Sequence, residues 1–480
     1  MKKSHFKQVL PLGLMSLVLS PGLYATNGMN LEGYGPEAHA MGGASMAYDN
    51  GTAAVMNNPA TLGFMEKSRL DVAFGFLGPN VTSNGADSSA DAFYMPAIGY
   101  IQKNNNLFYG VTMFSQGGMG TEYDNAGFMT EGGPSSGKTV RSEVGVGRLI
   151  FPLAMRVNNQ LSVAATLDYV WAGMDLQMDM SGAQFGDMTV VGSQSKGSVS
   201  GSLPTQLGGM EFVGILQGGN PVNWARFDFS DGSPFTGKAK GTGLAGKVGV
   251  MFQMNSQVSF GATYHTETSL GDMTSDNSTI MMSANIDDNY LNQTWDGGGT
   301  GTAAGTYTAV TIPLTGKISI KDFQWPAALG FGTQFKLNNI ITLVADIKQV
   351  FWSSVMKNFN MTFNAGTQPG LAAGFSGGDL NAALKQEWDD QTVLQLGGAY
   401  QFNPDWVFRG GYNYASNPIP NEYLNQLFPA TIEHHLTMGA GHKLDGSSSI
   451  DFSLAYALSN ESAGVKHSQT NWQFLYTHMF

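Results

Sequence analysis

The chain closes on Ser468-Gln469-Thr470-Asn471-Trp472-Gln473-Phe474-Leu475-Tyr476-Thr477-His478-Met479-Phe480. Successive side chains of a strand point to opposite sides. Trp472, Phe474, Tyr476 and Phe480 therefore share one face, and Asn471, Gln473 and Thr477 the other. In a soluble sandwich the polar face would carry many Lys and Glu. A crowded barrel lumen takes small and amide side chains instead. The stretch predicts a strand with lipid on one side and a lumen on the other.

The same alternation spreads outward from this end. Ile450, Phe452, Leu454, Tyr456 and Leu458 alternate with Asp451, Ser453, Ala455 and Ala457. Leu161, Val163, Ala165, Leu167 and Tyr169 make another fatty face, as do Val258, Phe260, Ala262 and Tyr264. Trp406, Phe408, Tyr412 and Tyr414 lie opposite Asp405, Arg409 and Asn413, and Leu329, Phe331 and Phe335 opposite Gly330, Gly332, Gln334 and Lys336. Strands are expected at 68–77, 92–102, 107–116, 141–156, 160–178, 241–254, 257–270, 315–336, 340–353, 389–402, 405–416, 431–443, 448–459 and 468–480. The fold class read from this is all-β, a 14-stranded antiparallel transmembrane barrel over 68–480. Bacterial single-chain barrels have an even strand number.

The connections give the orientation. Short turns (Lys103 to Asn106, Asn158-Asn159, Asn255-Ser256, Asn338-Asn339, Asn403-Pro404, Asp445 to Ser447) alternate with long loops at 117–140, 179–240, 271–314 and 354–388. Short periplasmic turns and long extracellular loops are the usual asymmetry, which puts both termini in the periplasm. The sheet must also close, because an open edge in hydrocarbon leaves a row of backbone groups unsatisfied.

The start of the chain supplies the address. Lys2, Lys3 and Lys7 precede the apolar run Val9 to Leu19 and then Leu23-Tyr24-Ala25. That is a cleavable signal peptide, 1–25, too short in its apolar part to anchor a helix in a bilayer. Charged residues are 12% of the chain, about half the globular norm. Cysteine is absent, which excludes disulfides and thiol chemistry. Cleavage removes three lysines and no acid, taking the net charge from −12 to −15 and arguing against nucleic-acid partners.

Residues 26–67, TNGMNLEGYGPEAHAMGGASMAYDNGTAAVMNNPATLGFMEKS, have no long alternation and are rich in Gly, Ala, Asn and Met. They predict a plug inside the barrel rather than a tail, since disordered tails carry more charge and proline. Gly33-Tyr34-Gly35, Ala40-Met41-Gly42-Gly43-Ala44 with Ala47, and Asn57-Asn58-Pro59-Ala60-Thr61-Leu62 together resemble the N-terminal hatch of the FadL-type outer-membrane transporters of long-chain fatty acids, toluene and xylene. Val344-Ala345-Asp346-Ile347 with Phe351-Trp352-Ser353 is similar to the family's ninth-strand region. Leu396-Gly397-Gly398-Ala399-Tyr400, Arg409-Gly410-Gly411-Tyr412 and Pro418-Ile419-Pro420 resemble its late strands and following loop.

The resemblance implies passive uptake of a hydrophobic molecule, long-chain fatty acids first and aromatic or alkane hydrocarbons as the alternative. Loops would capture it, an apolar pocket would hold it, and it would leave sideways through the wall. The capture candidates are Met119, Phe128, Met129, Leu207, Met210, Phe212, Val213, Ile215, Leu216 and Trp224, apolar and partly adaptable side chains in loops; a loop mini-core is the competing reading. Glycines weaken strand pairing, and in the family a kink in the third strand makes the exit, which places it at Ser115, Gly117, Gly118 and Gly120. The hatch motif is Asn57, Asn58, Pro59 and Ala60. Arg148, Lys247, Asp346, Lys348, Arg409, Glu433 and His435 point inward by the alternation, and Asp346 and Arg409 are the candidates to hold the hatch near Asn58 to Ala60; ion pairing across the lumen is the competing reading.

HExxH does not occur, and there is no GxSxG nucleophile elbow: the matches at Gly133 to Gly137 and Gly374 to Gly378 fall in the long loops 117–140 and 354–388. His434 and His435, adjacent on a strand, face opposite sides and cannot share a metal. No enzyme, cofactor or metal is expected. The partners are the hydrophobic ligand, outer-membrane lipid and lipopolysaccharide, and the barrel-assembly machinery, which the aromatic end at Phe480 looks suited to engage; a monomer is expected. A general porin and an adhesin barrel are the rivals.

Overall fold

The structure, a computed structural model, describes residues 27–189, 195–212, 214–218, 221–232, 237–292 and 306–480. The expected signal peptide lies outside them. Among the described residues no helix is long and apolar enough to cross a membrane. The chain is instead dominated by one continuous antiparallel sheet. Its strands, in chain order, are β1 (Arg69–Ser83), β2 (Ala86–Asp87), β3 (Phe93–Asn104), β4 (Leu107–Tyr123), β5 (Val140–Arg156), β6 (Leu161–Ser181), β7 (Gly197–Ser200), β8 (Val222–Phe229), β9 (Ala239–Gln253), β10 (Val258–His265) and β11 (Ser269–Leu270). They continue with β12 (Met273–Asp287), β13 (Tyr307–Lys321), β14 (Ala328–Lys336), β15 (Ile341–Val350), β16 (Asn358–Ala365), β17 (Asp379–Lys385), β18 (Gln391–Gln401), β19 (Trp406–Ala415), β20 (His434–Lys443), β21 (Ser448–Ser462) and β22 (Val465–Met479).

The wall runs β1–β3–β4–β5–β6–β9–β10–β14–β15–β18–β19–β20–β21–β22. It closes because β22 pairs back onto β1, from Arg69 opposite Met479 to Ser83 opposite Val465. The C-terminal strand is thus the seam of the barrel. Its fatty face looks outward: Phe474 and Tyr476 are exposed, while Asn471, Gln473 and Thr477 are buried. Leu167, Tyr169, Phe260, Phe331, Phe408 and Phe452 continue the outer apolar belt, as a lipid-facing wall requires.

The expected strand number is corrected. Among the described residues the sheet holds twenty-two strands, not fourteen. Each crossing of the membrane supplies one alternating stretch, but the sheet runs on through the long connections. From β6 it continues as β8–β12–β13–β16–β17–β7, at the end of the barrel opposite the termini. The expected strand 315–336 is two elements: β13 belongs to this second arm, and the chain breaks at Asp322, which has a φ of 56°, before re-entering the wall as β14. Two helices, α2 (Gly182–Thr189) and α3 (Ser202–Phe212), pack on the arm.

Inside the wall lies the N-terminal segment. It forms α1 (Pro36–Ala40) and two 3-10 turns, Gly51–Val55 and Pro59–Phe64. Almost all of residues 27–65 are buried. α1 contacts β19 to β22, the first turn contacts β1 and β3, and the second contacts β4, β5, β6, β9 and β10. The segment therefore touches both sides of the lumen. Its local form follows from the sequence: Asn58 caps the second turn by accepting from the Ala60 N–H at 3.1 Å, and Pro59, with no N–H to lose, starts it.

Candidate functional site

Asn57 to Ala60 form a buried joint between the segment and the wall. Asn58 Nδ2 donates to the Met46 carbonyl (2.8 Å) and to the β9 carbonyl of Val250 (3.0 Å). Asn57 Nδ2 donates to the Tyr34 carbonyl (3.0 Å), and the Asn57 carbonyl receives Nε2–H of His265 on β10 (2.8 Å).

Asp346 and Arg409 both reach the segment, but not at Asn58 to Ala60. Asp346 Oδ2 accepts the backbone N–H groups of Ser45 (2.5 Å) and Met46 (3.0 Å). Arg409 pairs with Asp451 (2.7 Å) and with Glu37 of α1 (3.3 Å). Lumen charges thus bond the segment at Ser45, Met46 and Glu37, and Arg409 also pairs along the wall. Arg148 and Lys247 likewise pair along the wall, both with Asp168, Arg148 at 2.8 Å. Glu32 Oε1 binds His39 (2.7 Å) and Asn471 Nδ2 (2.8 Å), stitching the segment to the seam strand.

The third wall strand departs from regular pairing where its glycines begin. β3 and β4 pair only from Ile98–Met113 to Asn104–Leu107. β3 continues to Phe93 and β4 to Tyr123, yet no ladder joins them there. On its other side β4 stays paired to β5, with a bulge at Gln116 between Ser115 and Gly117. Pro96 lies on β3 beside the unpaired stretch and has no N–H to give a ladder. Farther out, Ser89 N–H donates to the Glu122 carbonyl at 2.9 Å and Ser88 Oγ accepts from the Glu122 N–H at 3.1 Å. The result is a bounded window in the wall. It contains Ser115, Gly117, Gly118 and Gly120. On the lumen side it meets the segment, where Gly118 N–H donates to Met29 carbonyl (3.1 Å) and Asn30 bridges to Gly117. A side chain at 117 would collide with the Met29 carbonyl, so this approach needs glycine.

A cavity of about 580 Å³ joins the window to the lumen. Met29, Leu31, Phe93, Met95, Met113, Phe114, Met119, Val144, Val146 and Trp171 give it an apolar lining. Lys240, exposed, is the only lysine or arginine among the described residues lining it, and the lining carboxylate of Glu143 is taken by Arg141 at 2.5 Å. Among the described residues no group of three or more His, Asp or Glu could hold a metal ion.

Of the loop residues expected to bind ligand, Met119 lines this cavity. Leu207 and Leu216 are buried in the apolar core of the outer arm; Phe128, Met129, Met210 and Ile215 pack against that core, and Trp224 is half-buried on β8. Val213 and the side chain of Phe212 lie outside the described residues. The strand residues of the lining were not singled out from sequence. The usable signal was the phase of β3 to β5 beside the glycine run.

A profile of the family described as outer membrane protein transport protein (OMPP1/FadL/TodX) matches residues 22–477. The long-chain fatty acid transport protein of Escherichia coli O157:H7 is 20% identical over 450 residues, 90% of this chain and 86% of that one. An uncharacterized Chlorobium limicola protein from the 5′ region of the phosphoenolpyruvate carboxykinase gene is 46% identical over 91 residues, 18% of this chain and 45% of that one. The crystal structure of the Ralstonia pickettii toluene transporter TbuX superposes with a TM-score of 0.72 and 28% identity, covering 94% of this chain and 99% of that one. The closed outer-membrane barrel, the buried N-terminal segment and the match over nearly its whole length agree: this chain belongs to the OMPP1/FadL/TodX family of outer-membrane transport proteins.

Proposed function

We propose that the protein carries small neutral hydrophobic molecules passively across the outer membrane, from the loops into the cavity and out sideways through the β3–β4 window into the bilayer. The observation that carries this reading is the cavity itself, which has apolar walls and reaches the one stretch where β4 lacks its β3 partner. An aqueous pore offers a greasy solute nothing, whereas apolar walls offset its transfer from water by roughly 0.8 kcal/mol per methylene. The N-terminal segment acts as the hatch, so the path does not run straight to the periplasm. Lipopolysaccharide around the loops and the assembly machinery at Phe480 are the partners this reading calls for.

The lining favours an uncharged substrate such as a monoaromatic hydrocarbon; TbuX is a toluene transporter. Arg148 and Lys247 share the carboxylate of Asp168, and neither lines the cavity. Long-chain fatty acids are the second reading, and Lys240 at the cavity supports it. Uptake of labelled toluene and oleate by cells with and without the gene separates the two. Loss of toluene uptake alone on deletion, unaffected by Lys240→Met, is expected. Loss of oleate uptake that Lys240→Met reproduces would establish the fatty-acid reading, and no loss of either would refute transport.

A further inference from the structure

A window in a membrane wall has a cost that must be met locally. Backbone groups without partners in a water-poor setting are strongly disfavoured. Where β4 leaves β3, the carbonyl of Gln116 and the peptide groups of Gly117 and Gly118 lose strand partners on that side. Continuing the β3–β4 register would put Met95 opposite Gln116 and Pro96 opposite Ser115. The N-terminal segment reaches β4 at this stretch.

The Tyr34 hydroxyl donates to the Gln116 carbonyl at 2.5 Å, in a buried setting. The ring sits among Ala73, Met95, Ala97 and Phe114, between the β1–β3 sheet and β4. The other end of Gln116 is held as well: its side-chain oxygen accepts from Arg148 Nε, and Arg148 is anchored on Asp168 at 2.8 Å. Tyr34 is in turn placed by Asn57, whose amide donates to the Tyr34 carbonyl at 3.0 Å. The chain of contacts runs from the Asn-Pro-Ala turn through Tyr34 to the bulge.

We propose that Tyr34 is a positioning residue for transport: its hydroxyl takes the carbonyl that β3 would otherwise claim and so keeps the window from closing. This rests on the reading of the window as the exit. The hatch then has two tasks. It fills the lumen, and it supplies the hydrogen bonds that make a gap in the wall stable.

Tyr34→Phe tests this, because it keeps the ring and its packing and removes only the donor. The chain has no cysteine, so Pro96→Cys with Ser115→Cys provides the sole thiol pair, on the outward faces flanking the window. In the full-length protein in liposomes, the Phe variant should form this disulfide on mild oxidation roughly tenfold faster than the parent pair, the effect of about 1.4 kcal/mol on the closed population. Substrate release into the bilayer should slow by a similar factor while equilibrium binding of substrate stays unchanged. A merely structural tyrosine would move none of these specifically. Gly117→Ala, which pushes on the Met29 carbonyl, should change them in the same direction.

The oxidised pair on the Tyr34 background distinguishes the two layers of the claim. Oxidation should stop uptake and reduction restore it. Full uptake through the locked window would refute the exit reading. A lock that stops uptake, combined with parental cross-linking and release in Tyr34→Phe, would overturn the role of Tyr34 and leave the exit standing.

Discussion

Removing Asp346 should release the hatch on one side without harming the barrel. Its Oδ2 receives two backbone N–H groups, from Ser45 at 2.5 Å and Met46 at 3.0 Å. Ser45 and Met46 are buried and so is Asp346 itself. Asp346→Ala leaves both donors unpaired, at about 1–3 kcal/mol apiece for a buried group that loses its partner, and the acceptor lost was charged. The neighbouring anchors survive: Asn50 Nδ2 on the Ser45 carbonyl (3.0 Å) and Asn58 Nδ2 on the Met46 carbonyl (2.8 Å). A local loss of about 3 kcal/mol is therefore expected, roughly a hundredfold rise in the opening constant. Hydrogen exchange followed by mass spectrometry on the full protein in detergent reads this directly. Peptides covering 40–56 should lose about two decades of protection, and peptides from β21 and β22 none. Asp346→Asn keeps an acceptor and should lose much less. Arg409→Ala should also lose less, because its partner Glu37 is about a quarter exposed and Arg409 keeps its stronger contact to Asp451 within the wall. Exchange in Asp346→Ala within threefold of the parent would refute the reasoning, as would a larger effect from Arg409→Ala.

Gly411 of β19 lies against the hatch backbone, and a Cβ there would sit 2.7 Å from the Met41 Cα. Gly411→Val should leave the lipid-facing belt and barrel insertion intact but unseat residues 40–44, giving current steps in a planar bilayer where the parent is silent; silence in both would count against the fit. Glu433, just before β20, has its carboxyl pushed up to about 7 by burial, with the Asn417 N–H as the smaller opposing influence. A carboxyl raised in the folded state binds more protons there than in the unfolded chain, so its contribution favours folding at low pH and is lost as pH rises from about 4.5 through about 7. Urea unfolding in detergent should show the parent less stable at pH 8 than at pH 5.5 relative to Glu433→Gln, and parallel pH profiles would contradict this.

The wall was legible because lipid imposes a strict rule on every strand that crosses it. Leu167, Phe331 and Phe452 face outward in the phase the alternation predicts, and Asn471, Gln473 and Thr477 face inward. The outer arm obeys no such rule. β12 begins Met273-Thr274-Ser275-Asp276-Asn277-Ser278-Thr279, a polar run interrupted by a bulge between Ser275 and Ser278, and its apolar side packs on a core built by other loops. Local sequence cannot announce a partner supplied by distant segments. At 315–336 the break runs from Asp322 to Ala327, and Pro326, which has no N–H to give a ladder, is the mark it leaves in the sequence.

The site divides along the same line. Glycine at 117 and 118 signals a weak strand, and the β4–β5 register shifts beside them, at Gln116. What the glycines could not convey is why such a weakness is tolerated. That reason lies in contacts spanning most of the fold: Tyr34 with Gln116, Met29 with Gly118, Ser45 and Met46 with Asp346. Each joins a backbone group to a partner far away in sequence, and backbone groups carry no residue-specific signature. In a barrel the wall normally satisfies itself strand by strand. Here one interval of wall and the segment inside it complete each other's hydrogen bonds. A substitution in the hatch should therefore be felt first at the window, before any strand of the barrel loosens.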